Sequence, residues 1–328
     1  MAARMGDKMT HTLLNAPAIY KPMKYEWAFQ AWKTQQEVHW LAKEVPLADD
    51  VKDWQQNLTD AERNLVTQIF RFFTQSDIEV AGTYAKYLGV FKPTEILMML
   101  AAFINIETVH IEAYSYLLDT IGMPETEYSA FLKYAEMKEK HDYLQGFQCD
   151  SKTNIALTLA AFGAFAEGMA LFASFAMLLN FPRFNKMRGM GQIVSWSIRD
   201  ESLHCESMAM LFKTFLQENP EIGTPELRGQ IVKIAREMVD HEFAFIDLAF
   251  EMGQVQGLDA QQVKEFIQYI ADRRLVRLGL EPIYHVEENP LPWFDEMTTA
   301  VEHASFFENR STEYSKASTE GDWSDVFG

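Results

Sequence analysis

The sequence predicts an all-α fold, one extended helical bundle, and three observations carry that reading. Between Thr59 and Leu278 apolar residues recur at helical spacing in segments of roughly 20 to 35 residues. None of those segments holds an internal proline, and the breaks between them are short. Clean apolar-polar alternation, the mark of a strand, is hard to find anywhere in the chain.

The first long helix opens on a capping box, Thr59 with Glu62 three residues on, and runs through Phe73 and Tyr84. Gly89 to Pro93 ends it. Further helices follow over Pro93 to Gly122, Glu125 to Tyr143, Ile155 to Leu179, Pro182 to Leu216 and Pro225 to Met252, and another over Gln261 to Leu278. No internal repeat and no interdomain linker interrupts them, so 328 residues form one large domain. The expected division is residues 1–22 as an N-terminal extension, 23–306 as the helical domain and 307–328 as a flexible C-terminal tail. That tail is polar and acidic but keeps Trp323 and Phe327, which suits docking into the groove of a partner.

Composition excludes several classes. With 48% hydrophobic and 23% charged residues the chain is neither disordered nor of low complexity. The net charge of -18 gives no support to nucleic-acid binding, and no glycine-rich nucleotide loop is present. Two cysteines, Cys149 and Cys205, cannot build a disulfide framework or a four-thiolate zinc site. With no apolar run in the first 17 residues to act as a secretory signal, the expected setting is cytoplasmic. Ile155 to Phe181 has the length and apolarity of a membrane span, but Glu167 sits at its centre, where an ionised carboxylate would be costly in lipid. A buried soluble helix, and no membrane, is the expectation.

The chemistry concentrates in two acid-x-x-His pairs, Glu107 with His110 and Glu201 with His204. On a helix, side chains three residues apart project from nearly one face and can grip one metal ion. With 47 acids and eight histidines, about one such pair arises by chance, so spacing alone decides little. The neighbourhood decides more: Glu107 follows the run Leu97 to Ile104, too apolar to be a solvated face, and a carboxylate buried there needs a cation. Asp77 and Glu167 lie in similarly apolar settings on two other helices. One acid from each of two helices plus an acid-x-x-His from each of two others is the ligand inventory of a dinuclear carboxylate bundle. Glu79, Glu112 and His141 are the competing candidates; Glu79 is expected on another face from Asp77, and His141 on a solvated surface. Tyr114 follows His110 by four residues, one turn along the same face, with Leu171 and Phe175 one and two turns beyond Glu167 to line an apolar pocket. The ligands alone leave iron storage, substrate hydroxylation and radical generation open.

From about Trp40 to the C-terminus the sequence resembles the radical-generating small (beta) subunit of class I ribonucleotide reductase. The resemblance rests on Trp40, Gln75-Ser76-Asp77, Glu107-x-x-His110-x-x-x-Tyr114, Glu167 with Ser174-Phe175, Arg199-Asp200-Glu201-x-x-His204, Asn289-Pro290-Leu291-Pro292-Trp293 and the acidic aromatic tail. It implies a ferritin-like bundle with additional helices. It implies a dinuclear metal centre in which Asp77, Glu107 and His110 hold one metal and Glu167, Glu201 and His204 the other. Fe/Fe is the first expectation, with Mn/Mn and Mn/Fe as alternatives, since ligand types alone do not separate these metals. It implies that Tyr114 stores a radical that passes through Trp40, Asp200 and a tail tyrosine, Tyr314, to a large (alpha) catalytic subunit, which reduces ribonucleotides. The partners implied are that large subunit, bound through the tail, a second copy in a homodimer, and an activating flavoprotein as an optional third. Leu171 stands where the family often has phenylalanine. The rival functions are a di-metal oxidase or hydroxylase of the same fold and a ferritin-type iron-binding protein.

Overall fold

The computed structural model describes residues 11–17, 19 and 21–298. Among the described residues there are no strands, only two isolated bridges, and the expected all-α architecture holds. The helices are α1 (Glu26–Glu37), α2 (Ala48–Lys52), α3 (Asp60–Val90), α4 (Thr94–Ile121), α5 (Ala135–Gln145), α6 (Lys152–Leu159), α7 (Phe172–Leu179), α8 (Arg188–Glu218), α9 (Pro225–Ala249) and α10 (Ala260–Arg277). A π-helical stretch, Ala160–Leu171, joins α6 to α7 into one rod.

The predicted capping box forms: Thr59 Oγ1 accepts from Glu62 N–H at 3.2 Å, and the Glu62 carboxylate accepts from Thr59 N–H at 2.8 Å. Two orphan amides of α3 are thereby satisfied. At the far end of α4, Gly122 takes the left-handed conformation (φ 80) that stops the helix. α3 packs along α4, α8 packs along the α6–π–α7 rod, and α9 and α10 cover the rod from outside. Residues 11–17 lie on this bundle, where Leu13 is buried and its N–H donates to Glu218 on α8 at 2.7 Å.

Three expected helices differ in detail. Glu125 to Tyr143 is a 3₁₀ helix over Glu125–Lys133 followed, after an extended Tyr134, by α5. Arg71 on α3 reaches both Glu127 (2.5 Å) and the Tyr134 hydroxyl (2.7 Å), drawing this segment onto the bundle. Pro182 starts only a 3₁₀ turn, and left-handed Asn185 and Met187 separate it from α8. There the Asp50 carboxylate accepts from Gly189 and Met190 N–H, and Asp53 accepts from Met187 N–H, so acids of the α2 region cap α8. A Cβ on Gly189 would lie 2.7 Å from Asp50 Oδ2, too close for any other residue. The third difference is the π geometry inside the expected Ile155 to Leu179 helix. The structure also adds α1 and α2, which the periodicity did not mark.

Two helices are long and apolar enough to cross a membrane by length and composition, Thr94–Ile121 and Lys152–Phe184. Both are core helices here; the rod is 89% buried over its most apolar window. Their apolarity serves the interior, because each is covered by neighbours on more than one face.

Candidate metal centre

α3 presents Asp77, α4 presents Glu107 and His110, the π stretch presents Glu167, and α8 presents Glu201 and His204. All six side chains are at most 1% exposed. They form two overlapping groups, Asp77–Glu107–His110 and Glu107–Glu167–Glu201–His204, with donor atoms within 4.8 Å of one another in each. The two i,i+3 pairs face each other across the α4–α8 interface. Glu107 lies 3.5 Å through Oε2 from His110 Nδ1 and 3.2 Å through Oε1 from His204 Nδ1. Glu201 repeats this, 3.3 Å from His110 Nδ1 through Oε1 and 3.3 Å from His204 Nδ1 through Oε2. Each of these two carboxylates therefore spans both halves of the site.

The outer nitrogens of the imidazoles meet acceptors. His110 Nε2 lies 3.1 Å from Asp200 Oδ2, and His204 Nε2 lies 3.1 Å from Gln35 Oε1. With acceptors there, the ring hydrogen of each neutral imidazole sits on Nε2, which leaves Nδ1 facing inward to take a metal or a proton. Gln35 also donates to Asp200 Oδ1 at 3.1 Å, and the Trp40 indole donates to Asp200 Oδ2 at 2.8 Å. Trp40, Gln35 and Asp200 thus form one buried network behind both histidines.

A cation fits this donor set. Both oxygens of Glu107, Asp77 Oδ2, Glu201 Oε2 and the Nδ1 atoms of His110 and His204 are buried without a hydrogen bond. Buried polar atoms left unpaired in this number are costly, and a pair of divalent ions would satisfy them together. Electrostatics agree in direction. Burial, then the nearby Glu107, pushes the Asp77 carboxyl well up. Burial pushes Glu167 up to about 7. At Glu201 burial acts the same way, but the two histidines 3.3 Å away outweigh it and bring the group down to about 2. Burial would lower both imidazoles, yet the surrounding carboxylates hold them well above their usual value. Without a metal the cluster holds protons in the place of cations.

Tyr114 is 1% exposed, with its ring 6.4 Å from that of His110. Its phenol donates to Ser197 Oγ on α8 at 2.9 Å. Phe73 (5.0 Å between centroids) and Phe70 (5.8 Å) pack on it, and Phe175 meets the Phe73 ring at 5.3 Å. Burial, with the Asp77 charge next, pushes the phenol well up, so it is neutral at any physiological pH.

All six ligand candidates, Tyr114, Trp40 and Asp200 come together; Tyr314, Trp323 and Phe327 lie outside the described residues. Glu112 is exposed and does not join the centre. Glu79 is buried on another face of α3, as expected. His141 corrects the expectation of a solvated surface: its side chain is 20% exposed and Nδ1 contacts Glu79 Oε1, because α5 packs against α3 and α9. Gln35, Tyr84 and Ser197 escaped the sequence reading. Tyr84, two turns beyond Asp77 on α3, places its hydroxyl 2.6 and 2.8 Å from the two Glu167 oxygens and shares its one hydrogen between them. Heptad-like placement of Tyr84 could have pointed inward, but nothing in the sequence around Gln35 marks it.

Residues 18–290 match the family model described as ribonucleotide reductase, small chain. A probable ribonucleoside-diphosphate reductase small subunit of invertebrate iridescent virus 6 is 44% identical, with 96% of this chain and 99% of the relative covered. Among solved structures, the ribonucleotide reductase R2 subunit from Clostridium botulinum superposes with a TM-score of 0.83 at 24% identity, covering 90% of this chain and 96% of that one. The ribonucleotide reductase Rnr4 homodimer from Saccharomyces cerevisiae gives a TM-score of 0.69 at 20% identity, covering 90% and 89%. These two likenesses establish the ferritin-like bundle.

Proposed function

The chain belongs to the ribonucleotide reductase small-chain family, whose members work beside a large catalytic subunit, and from that premise we propose that Tyr114 stores the radical this subunit supplies. The observation that carries the reading is the double span of Glu107 and Glu201 between two inward-facing imidazoles, with Tyr114 one turn beyond His110. Asp77, Glu107 and His110 hold one metal and Glu167, Glu201 and His204 the other. We take Fe/Fe as the physiological pair, with Mn/Mn and Mn/Fe served by the same oxygen and imidazole donors. A redox-active metal pair, when bound, supplies the oxidising power that a phenol lacks by itself.

The residues of the chain do the rest. Glu167 keeps its orientation through the Tyr84 hydroxyl, whose one hydrogen is shared between the two carboxylate oxygens. Phe70 and Phe73 exclude water from Tyr114, which protects an oxidised phenol from reduction. Asp200 Oδ2 takes both the His110 Nε2 hydrogen and the Trp40 indole hydrogen, so one oxygen links the metal ligand to the indole. That link is the proposed route outward, continued by Tyr314 in a tail that docks on the large subunit. The chain is proposed to act as a homodimer, as the Rnr4 neighbour from yeast does. The two free cysteines suit a reducing, cytoplasmic setting.

The test loads metal-free protein with Fe(II) or Mn(II), admits oxygen, and reads metal content and electron paramagnetic resonance. Two metals per chain and a tyrosyl signal are expected, with the signal lost and the metals kept in Tyr114→Phe. An unchanged organic radical in that variant refutes the assignment. A radical with iron but none with manganese and oxygen alone indicates the activating flavoprotein for the manganese form.

A further inference from the structure

Among the described residues Ser197 is the hydrogen-bond partner of the Tyr114 phenol: the phenol donates to its Oγ at 2.9 Å, and the serine is fully buried. Its position is set from both sides. Tyr114 lies one turn beyond His110 on α4, and Ser197 lies one turn before Glu201 on α8, so their contact sits directly beside the ligand cluster. Its hydroxyl is also unusual for its helix. Ser195 and Ser202, on the same α8, donate to the carbonyls four residues back, Gly191 and Ile198, at 2.7 Å each. Ser197 makes no such bond among the described residues, so its own hydrogen remains free to turn.

We propose that Ser197 is a positioning residue for Tyr114: it accepts the phenol hydrogen in the reduced protein and donates its own hydrogen to the same oxygen when Tyr114 is a radical. The proposal rests on the reading of Tyr114 as the radical residue. A phenol can donate, whereas a phenoxyl oxygen carries lone pairs only, so most partners of the reduced form would lose the contact on oxidation. A hydroxyl is both donor and acceptor and keeps it by rotating about one bond. Oxidation takes one electron and one proton from the phenol, which a redox-active metal pair, when bound, would accept as the reading already requires; Ser197 receives neither. Phe73 and Phe70 give the ring apolar walls that hold its plane, and this hydroxyl is the polar contact that holds the phenol oxygen beside the ligand cluster.

The test uses the full chain with Ser197→Ala, Ser197→Thr and Ser197→Val. The last two share one shape and differ by the hydroxyl, so the comparison survives even if alanine impairs folding. Ultraviolet resonance Raman difference spectra against the corresponding Tyr114→Phe proteins, taken without metal, read the hydrogen bond of the phenol. A donating phenol is expected in the parent and in Ser197→Thr, and a phenol without that bond in Ser197→Val and Ser197→Ala. After metal loading and exchange into deuterium oxide, electron-nuclear double resonance should find an exchangeable deuteron coupled to the tyrosyl radical in the parent and in Ser197→Thr, and lose it in the other two. The same spectra in Ser197→Val as in the parent overturn the proposal and leave Tyr114 as the radical site. Absence of any tyrosyl radical in the parent overturns both.

Discussion

Replacing Gln35 by leucine removes one buried amide and should weaken one half of the metal centre more than the other. Gln35 is 2% exposed and holds His204 Nε2 directly, but it reaches His110 only through Asp200. Asp200 loses little, because it keeps the Trp40 indole at 2.8 Å and Arg199 at 3.5 Å. His204 loses the acceptor that fixes its tautomer. A buried group left unpaired costs about 1–3 kcal/mol, which corresponds to roughly 10–100-fold in metal affinity, the range typical for partners of ligating histidines. Anaerobic competition titration with Mn(II) should show one affinity falling by that factor and the other holding to within about threefold. Repeating the substitution in His204→Ala and His110→Ala backgrounds assigns the half: the effect should vanish in the first and persist in the second. Equal weakening of both metals, or an effect that survives His204→Ala, refutes the argument.

Three further expectations follow from other parts of the site. In Gly168→Ala the new Cβ would lie 2.8 Å from Arg274 Nε and 3.0 Å from Gly163 O, displacing the bond that Arg274 makes to the Gly168 carbonyl at 2.6 Å. Such overpacking costs about 1–3 kcal/mol and should lower the thermal midpoint and the affinity of the half that Glu167 serves. The pH dependence of metal-free protein has two parts. Glu201, depressed to about 2, stabilises above its ordinary 4.5 and loses that contribution as pH falls through 2. Glu167, raised to about 7, stabilises below 4.5 and loses its contribution as pH rises through 7. Metal displaces the Glu167 proton, so affinity for Mn(II) should climb with pH through about 7 and proton release on binding should be larger on the acid side; a flat profile in a pH-stat contradicts this. Deleting the residues after Phe307 should abolish turnover with the large subunit while metal content and radical yield stay unchanged, and full turnover by the truncated chain would remove the tail from the mechanism.

The candidate ligands were legible because burial and chemistry coincide in them. A carboxylate such as Glu107, just after the apolar run Leu97 to Ile104, is at odds with its setting unless a cation or a proton offsets its charge. The helices that carry the ligands were legible from unbroken periodicity, and the start of α3 from Thr59 and Glu62. Boundaries set by distant contacts were not. The start of α8 depends on Asp50 and Asp53, more than 130 residues away, and the 3₁₀ stretch at Glu125–Lys133 on the reach of Arg71. Gln35 and Ser197 were invisible for a related reason: an amide and a hydroxyl are common on any helix, and only the meeting of α1, α4 and α8 gives these two their partners. His141 misled because charged neighbours along the chain say nothing about the helix packed on its other side.

The π stretch between Ala160 and Leu171 winds more residues into each turn than the α-helices at its two ends. In a uniform α-helix every residue advances the side-chain direction by about 100°, so the rod carries a phase lag between Lys152–Leu159 and Phe172–Leu179. Closing that lag would keep the rod continuous and apolar, yet it would rotate Glu167 relative to one end or the other. Its length and apolarity answer to the core, while its phase both aims Glu167 and brings Gly163 and Gly168 against Met208 and Arg274, so one local winding serves the site and the packing together.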